Sequence, residues 1–292
     1  MSMTFKSIGI IAKQDDKLVY ETVRSLYEYL SAKNLKICVD DNAQQCLDRN
    51  SVNCIDIGVM HNEIDLAIVV GGDGTLLSAA QSMVPFDVPV IGINRGRLGF
   101  LTDILPENMQ QYLDQILQGE YFEEVRTVLS ARLIRGKSEI AQCLAINDIV
   151  VHARHVVRMI ELETRVSDEH LNALRADGLI VSTPTGSTAY ALSGGGPIMH
   201  PSTSSTLLVP ICPHTLSNRP IVVDDNSKIE IIYSEHNEVN GIAAADGQME
   251  HELFPGDRIL IEKSHKPLII IQPKSYSYFK VLRKKLNWSK QP

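Results

Sequence analysis

Near residue 125 the hydrophobic rhythm of this chain changes, and that change constrains the fold more than any other feature. Before it, short apolar runs alternate with segments of helical period. Residues 7–12 read SIGIIA, 36–39 KICV, 66–70 LAIVV and 89–93 PVIGI. Between them Val19, Val23, Leu26 and Leu30 share one helical face. LAIVV has no polar position, as expected of a strand covered on both faces of a parallel sheet. A helix begins over 76–83. Another spans 106–119, with Pro106 at its start, Met109, Leu113, Ile116 and Leu117 inside, and Gly119 at its end. This alternation predicts a doubly wound, Rossmann-like α/β domain over residues 1–124.

After residue 125 helical periodicity nearly vanishes. Short β-rich runs recur at 128–134, 146–152, 159–166, 179–183, 206–209, 220–223, 228–233, 258–262 and 268–271. Many short strands separated by turn residues predict an all-β, β-sandwich-like domain over 125–274. In 275–292, Phe279, Leu282 and Leu286 fall at helical spacing, with Lys280, Arg283, Lys284 and Lys285 facing elsewhere. This last segment is expected to pack back on the first domain. A chain of 292 residues suits two domains, each able to bury its own core.

Composition excludes several classes of function. Lys and Arg number 28 against 35 Asp and Glu, a net charge of −7. That balance argues against nucleic acid as a partner held through a general positive field. No run approaches the ~20 apolar residues of a membrane span, so no membrane partner is expected. The opening MSMTFKSIGIIAKQ is too briefly apolar for a signal peptide. Cys38, Cys46, Cys54, Cys143 and Cys212 are odd in number and contain no C-x-x-C pair. They disfavour both a disulfide framework and a zinc site, and a reducing cytoplasm fits. His152 and His155 have H-x-x-H spacing, but a strand running into a loop turns them apart, so no protein metal site is expected.

Two loops carry chemistry. Gly71-Gly72-Asp73-Gly74-Thr75 follows a buried strand and precedes a helix. In open α/β sheets ligands bind at the carboxyl ends of strands. Glycines there let backbone N–H groups approach a phosphate, and a helix N-terminus adds partial positive charge. Asp73 would repel a phosphate, so it suits a general base or a metal contact beside one, or simply an N-cap. The second loop, DGLIVSTPTGSTAYALSGGGP at 177–197, crowds hydroxyls and glycines after a strand. It offers small donors suited to ribose, adenine edges or phosphate, and Tyr190 a ring for stacking. An ordinary polar loop of a β domain has the same composition.

GGDGT at 71–75, INRGRLGFLTD at 93–103, Asn147-Asp148, the 177–197 stretch and DGQ at 246–248 resemble, in the same order, the motifs of the NAD kinase family. The likeness covers nearly the whole chain. GGDG alone is shared with diacylglycerol, sphingosine and phosphofructokinases; TPTGSTAY is far more specific. The resemblance implies an enzyme that transfers the ATP γ-phosphoryl to the 2′-hydroxyl of the adenosine ribose of NAD, giving NADP. It also implies Mg2+ arriving with ATP, and assembly as a homodimer or homotetramer. By resemblance Asp73 is the general base, with Gly72 and Gly74 as backbone contacts beside it. Asn147 and Asp148 hold dinucleotide hydroxyls. Arg158, Arg175 and Asp177 line the site, Thr188, Ala189, Tyr190 and Ser193 surround the adenine-side nucleoside, and Gln248 adds a polar contact. The chain departs from many members in having Asp148 for Glu, and Ser78 for Arg or His, with Arg95 and Arg97 as substitute charges. The competing readings are a lipid or sugar kinase sharing GGDGT, and a dinucleotide sensor without chemistry, which would have no use for Asp73.

Overall fold

The computed structural model describes residues 4–14, 16–47, 52–96, 99–102, 104–154, 158–215 and 217–288. Arg97 and His155 lie outside them. The chain forms two compact units, one of residues 1–125 and 268–292, the other of 126–267.

In the first unit, strands β1 (Ser7–Ala12), β2 (Lys36–Val39), β3 (Leu66–Gly71), β4 (Val90–Asn94) and β5 (Tyr121–Arg126) alternate with helices α1 (Lys17–Ala32), α2 (Asp41–Leu47), α3 (Ile57–Met60), α4 (Asp73–Met83) and α5 (Met109–Leu117). The sheet runs β2-β1-β3-β4 and then continues with a strand from far along the chain before β5. β1 pairs in parallel with both β2 and β3, and β3 with β4. The strand order therefore reverses between β1 and β3, the switch point where such sheets bind ligands. α1 starts at Asp16, whose carboxylate accepts the Leu18 N–H. Its Val19, Val23, Leu26 and Leu30 are fully buried against Ile8, Ile10, Ile68 and Val70. Each such side chain contributes about 1.5–3 kcal/mol.

The second unit is built from β6 (Leu129–Arg135), β7 (Ser138–Ala145), β8 (Asp148–Ala153), β9 (Ile160–Val166), β10 (Glu169–Ala176), β11 (Gly178–Ser182), β12 (Ser205–Ile211), β13 (Ile221–Asp224), β14 (Ile229–Tyr233), β15 (Gly241–Ala245), β16 (Met249–Leu253) and β17 (Arg258–Lys263), with a 3-10 turn at Gly186–Thr188 leading into a short helix, α6 (Tyr190–Ser193). They form two antiparallel six-stranded sheets, β10-β9-β14-β17-β6-β7 and β13-β12-β11-β8-β15-β16. Leu133, Leu162, Ile231 and Ile259 of one sheet share a core with Val151, Leu179, Val181 and Leu208 of the other. The alternate residues Val150, Ile180, Leu207 and Val209 are also buried, under Ala191 and Met199. The loop after β11 folds back over the outer face of the sheet, which is why LIV at 179–181 lacks a polar position.

The chain then returns to the first unit as β18 (Leu268–Pro273) and α7 (Tyr278–Lys285). Residues 268–271, expected as a strand of the β domain, instead join the parallel sheet, with Ile270 opposite Val90 of β4. The return therefore begins at 268, not at 275. The physical reason lies in burial. LIIIQP is covered on both faces, whereas β17, RILIEK, alternates as a sandwich strand does. α7 turns Tyr278, Val281 and Leu282 inward; Leu282 lies on the expected face, but Phe279 is 56% exposed and Tyr278 takes its place. Lys285 sits over the Phe100 ring at 5.3 Å. Among the described residues no helix is long and apolar enough to cross a membrane.

Candidate active site

In the first unit, β3 delivers Gly71 to the switch point and α4 begins at once, with Gly72 as N-cap and Asp73 in the first turn. The glycines of this loop are not alike. A Cβ on Gly71 would lie 2.6 Å from Thr75 Oγ1, so packing excludes it. A Cβ on Gly72 or Gly74 would meet nothing within 4 Å. Their backbone borders open space beside Asp73, with the helix N-terminus behind it.

Asp73 does not cap its own helix. Its Oδ2 accepts the Phe100 N–H at 2.7 Å. Its Oδ1 accepts from Leu101 N at 3.0 Å, Thr102 N at 3.1 Å and Thr102 Oγ1 at 3.1 Å. A carboxylate offers about four lone-pair sites, so Oδ1 is saturated and Oδ2 keeps one open. The neighbouring Gly99 is required for this approach, because a Cβ there would fall 2.0 Å from Asp73 Oδ1. Ser78 is exposed on α4. The Arg95 Nε donates to Thr22 Oγ1 of α1, so part of its fork is committed to the scaffold.

In the second unit, the start of β8 and the ends of β11 and β15 converge. Asp246, at φ +49°, turns its carboxylate back onto three successive amides: Ile146 N at 2.9 Å, Asn147 N at 2.7 Å and Asp148 N at 3.1 Å. The Asn147 carbonyl accepts from Thr183 N at 2.9 Å and Ser182 Oγ at 3.2 Å. Thr183 Oγ1 donates to the Ile146 carbonyl at 2.6 Å. Ser187 Oγ donates to the Pro184 carbonyl and accepts Met199 N. The buried hydroxyls of Ser182, Thr183 and Ser187 thus hold the loop itself. Thr188, half-buried, bonds the Thr185 carbonyl at 3.2 Å, while Tyr190 and Ser193 are exposed. Gly194 and Gly196 lie close to Val209 and Leu207, so they serve packing instead of opening the backbone to a phosphate. Ala189 is half-buried next to them in the chain, and Gln248 is exposed on the 246–248 turn.

Arg158, Arg175 and Asp177 lie elsewhere in this unit. In the β8–β11 register Gly178 is opposite His152 and Ser182 opposite Asp148. Asp177 is therefore at the far end of β11 from Asn147, about 20 Å away at ~3.3 Å per residue. Exposed Arg175 of β10 lines an open depression with Arg158, whose guanidinium pairs with Glu238 at 2.9 Å. The unit does not bring these three residues to the Asn147 cluster. Sequence reasoning missed Gly99, Thr102 and Asp246. All stand inside quoted motifs, but no local pattern tells a holding group from a binding one.

Burial, helped by the Asp246 charge, pushes the Asp148 carboxyl up from 3.8 to about 7. A proton bound more tightly in the folded state means that stability is greatest below pH ~4 and declines as pH rises toward 7. Asp148→Asn carries no such charge. Its stability advantage over the parent is expected to grow across that window, reaching about 4 kcal/mol by pH 7.5. Urea unfolding of both proteins at a series of pH values measures this; a pH-independent difference would refute the buried-acid assignment.

Residues 8–121 match the family description ATP-NAD kinase N-terminal domain, and residues 146–272 match ATP-NAD kinase C-terminal domain. An NAD kinase of Teredinibacter turnerae is 43% identical over 98% of this chain and 98% of its own length. The chain belongs to the ATP-NAD kinase family. An NAD kinase of Coxiella burnetii is 45% identical over 99% of this family member and 96% of its own length. Among solved structures, an Archaeoglobus fulgidus NAD kinase in complex with ATP superposes with a TM-score of 0.76 at 30% identity, over 96% of this chain and 98% of its own. The yeast NADH kinase complexed with NADH shares the fold, with a TM-score of 0.88 at 24% identity, over 98% and 89%. These matches give no support to a lipid or sugar kinase.

Proposed function

We propose that this protein transfers the γ-phosphoryl of ATP to the 2′-hydroxyl of the adenosine ribose of NAD, yielding NADP and ADP. The observation that carries the reading for the first unit is the open space at Gly72 and Gly74 beside a carboxylate that is fixed from behind. In the proposed step the acceptor oxygen forms a bond to the γ-phosphorus and the bond to the β,γ-bridging oxygen breaks. The acceptor's proton passes to Asp73 Oδ2. General-base assistance of this kind accompanies formation of the O–P bond. Positioning and charge stabilisation supply the remaining acceleration.

Mg2+ belongs to this proposal as part of the nucleotide substrate, where it offsets charge on the donor phosphates. Among the described residues no three His, Cys, Asp or Glu side chains gather to hold an ion. Asn147, Asp148, Thr188, Ala189, Tyr190, Ser193 and Gln248 are proposed to contact the dinucleotide. Arg158, Arg175 and Asp177 are assigned to binding on the resemblance alone. Assembly as a homodimer or homotetramer and a cytoplasmic location complete the reading; light scattering and cell fractionation test them.

The enzymatic test is a matrix of ATP and polyphosphate against NAD and NADH, read as NADP or NADPH formed by the purified protein. Gly74→Ala tests the site itself. Its Cβ meets no atom, and alanine favours a helical first turn, so the melting temperature is expected to hold or rise slightly. Turnover is expected to fall at least about tenfold, because the methyl occupies the space assigned to substrate. Wild-type kinetics in this variant would refute that assignment.

A further inference from the structure

Thr102 lies at the centre of a hydrogen-bond network in the first unit whose far end, Asp73, is half-buried. The Thr102 side chain has no solvent exposure, and Asn94, at the end of β4, is 1% exposed. Asn94 Nδ2 donates to the Thr102 carbonyl at 2.9 Å and to Thr102 Oγ1 at 3.0 Å. Because Oγ1 accepts from Asn94, its own proton is left to go to Asp73 Oδ1, 3.1 Å away. The methyl of Thr102 is seated over Gly92, where a Cβ would come within 2.6 Å of Thr102 Cγ2. Strand β4 thus fixes both position and polarity of the hydroxyl. With the amides of Leu101 and Thr102, that hydroxyl fills the lone pairs of Oδ1 and leaves only Oδ2 with an open one.

We infer that Thr102, held by Asn94, is a positioning residue for the reaction: it fixes the Asp73 carboxylate so that Oδ2, and not Oδ1, takes the acceptor's proton. The inference rests on the assignment of Asp73 as base. A threonine serves where valine, equal in shape, cannot. Valine fills the seat over Gly92 but removes the hydroxyl donor, so the carboxylate is held by backbone amides alone and loses its link to Asn94.

The test is a double-mutant cycle of Thr102→Val and Asp73→Asn, with kcat and the KM for NAD measured for all four proteins. Thr102→Val alone is expected to lower kcat roughly tenfold to a hundredfold, the worth of a hydrogen bond to a charged group, with KM within about twofold. In the Asp73→Asn background the same change should cost kcat less than about twofold, because its effect runs through the lost carboxylate. Thr102→Ser, which restores the hydroxyl, should recover kcat to within about threefold. If Thr102→Val does not fold, Thr102→Ala takes its place in the cycle. Equal losses in both backgrounds, or wild-type kcat in Thr102→Val beside an impaired Asp73→Asn, would overturn the inference and leave the base assignment standing. Wild-type kcat in Asp73→Asn would overturn both.

Discussion

Asp73→Asn is expected to lose about 10²–10⁴ of kcat, the range of general-base assistance. The change is nearly isosteric, and the four donors around the side chain say how it will sit. The asparagine oxygen can keep the place of Oδ1, with Leu101 N, Thr102 N and Thr102 Oγ1. Its NH2 group then stands where Oδ2 accepted Phe100 N, and two donors face each other. The local cost is about 1–3 kcal/mol, too little to unfold a unit with its own core. The variant should therefore melt a few degrees low, bind NAD and turn over slowly. A kcat within about threefold of the parent would remove Asp73 from the chemistry.

Gly186→Ala is expected to damage the second unit instead. A Cβ at 186 would lie 2.2 Å from the Asn147 carbonyl oxygen, 2.5 Å from its carbon and 2.6 Å from Ser182 Oγ. Two of these atoms are backbone and cannot swing aside. The same carbonyl accepts from Thr183 N and Ser182 Oγ, so moving it also strains those bonds. Overpacking of this kind costs roughly 1–3 kcal/mol. It also displaces Asn147, so the KM for NAD should rise about tenfold or more, while Asp73 and its surroundings are untouched and kcat at saturation changes far less. Thermal melts and steady-state kinetics on the purified variant measure both effects. A parental melting temperature together with a parental KM would mean that the loop does not pack on Asn147 as described.

These expectations draw unequally on the sequence. The switch from α/β alternation to short strands, the buried run ending in GGDGT and the motif order were legible in one dimension, because periodicity and turn chemistry act over a few residues. The run LIII at 268–271 also carried its signal, an apolar stretch without alternation, but its place among sandwich strands drew it into the wrong sheet. Burial on both faces was the better guide than neighbourhood along the chain.

What the sequence by itself determined is the two kinds of sheet, part of their strands and helices, and the residues able to do chemistry; β7, β10, β15 and β16 stood outside its β-rich runs. Tertiary structure alone decided which of those residues are spent holding others. Asp73 meets its donors 27 to 29 positions away, and Asp246 grips amides 98 to 100 positions back. Gly72 and Gly186 are the same letter, yet one borders open space and the other a carbonyl at 2.2 Å. Ser182, Thr183 and Ser187 look like ligand donors until their partners are seen to be backbone. A hydrogen bond or a close approach depends on positions in space, and chain segments far apart in sequence acquire those only when the sheets assemble.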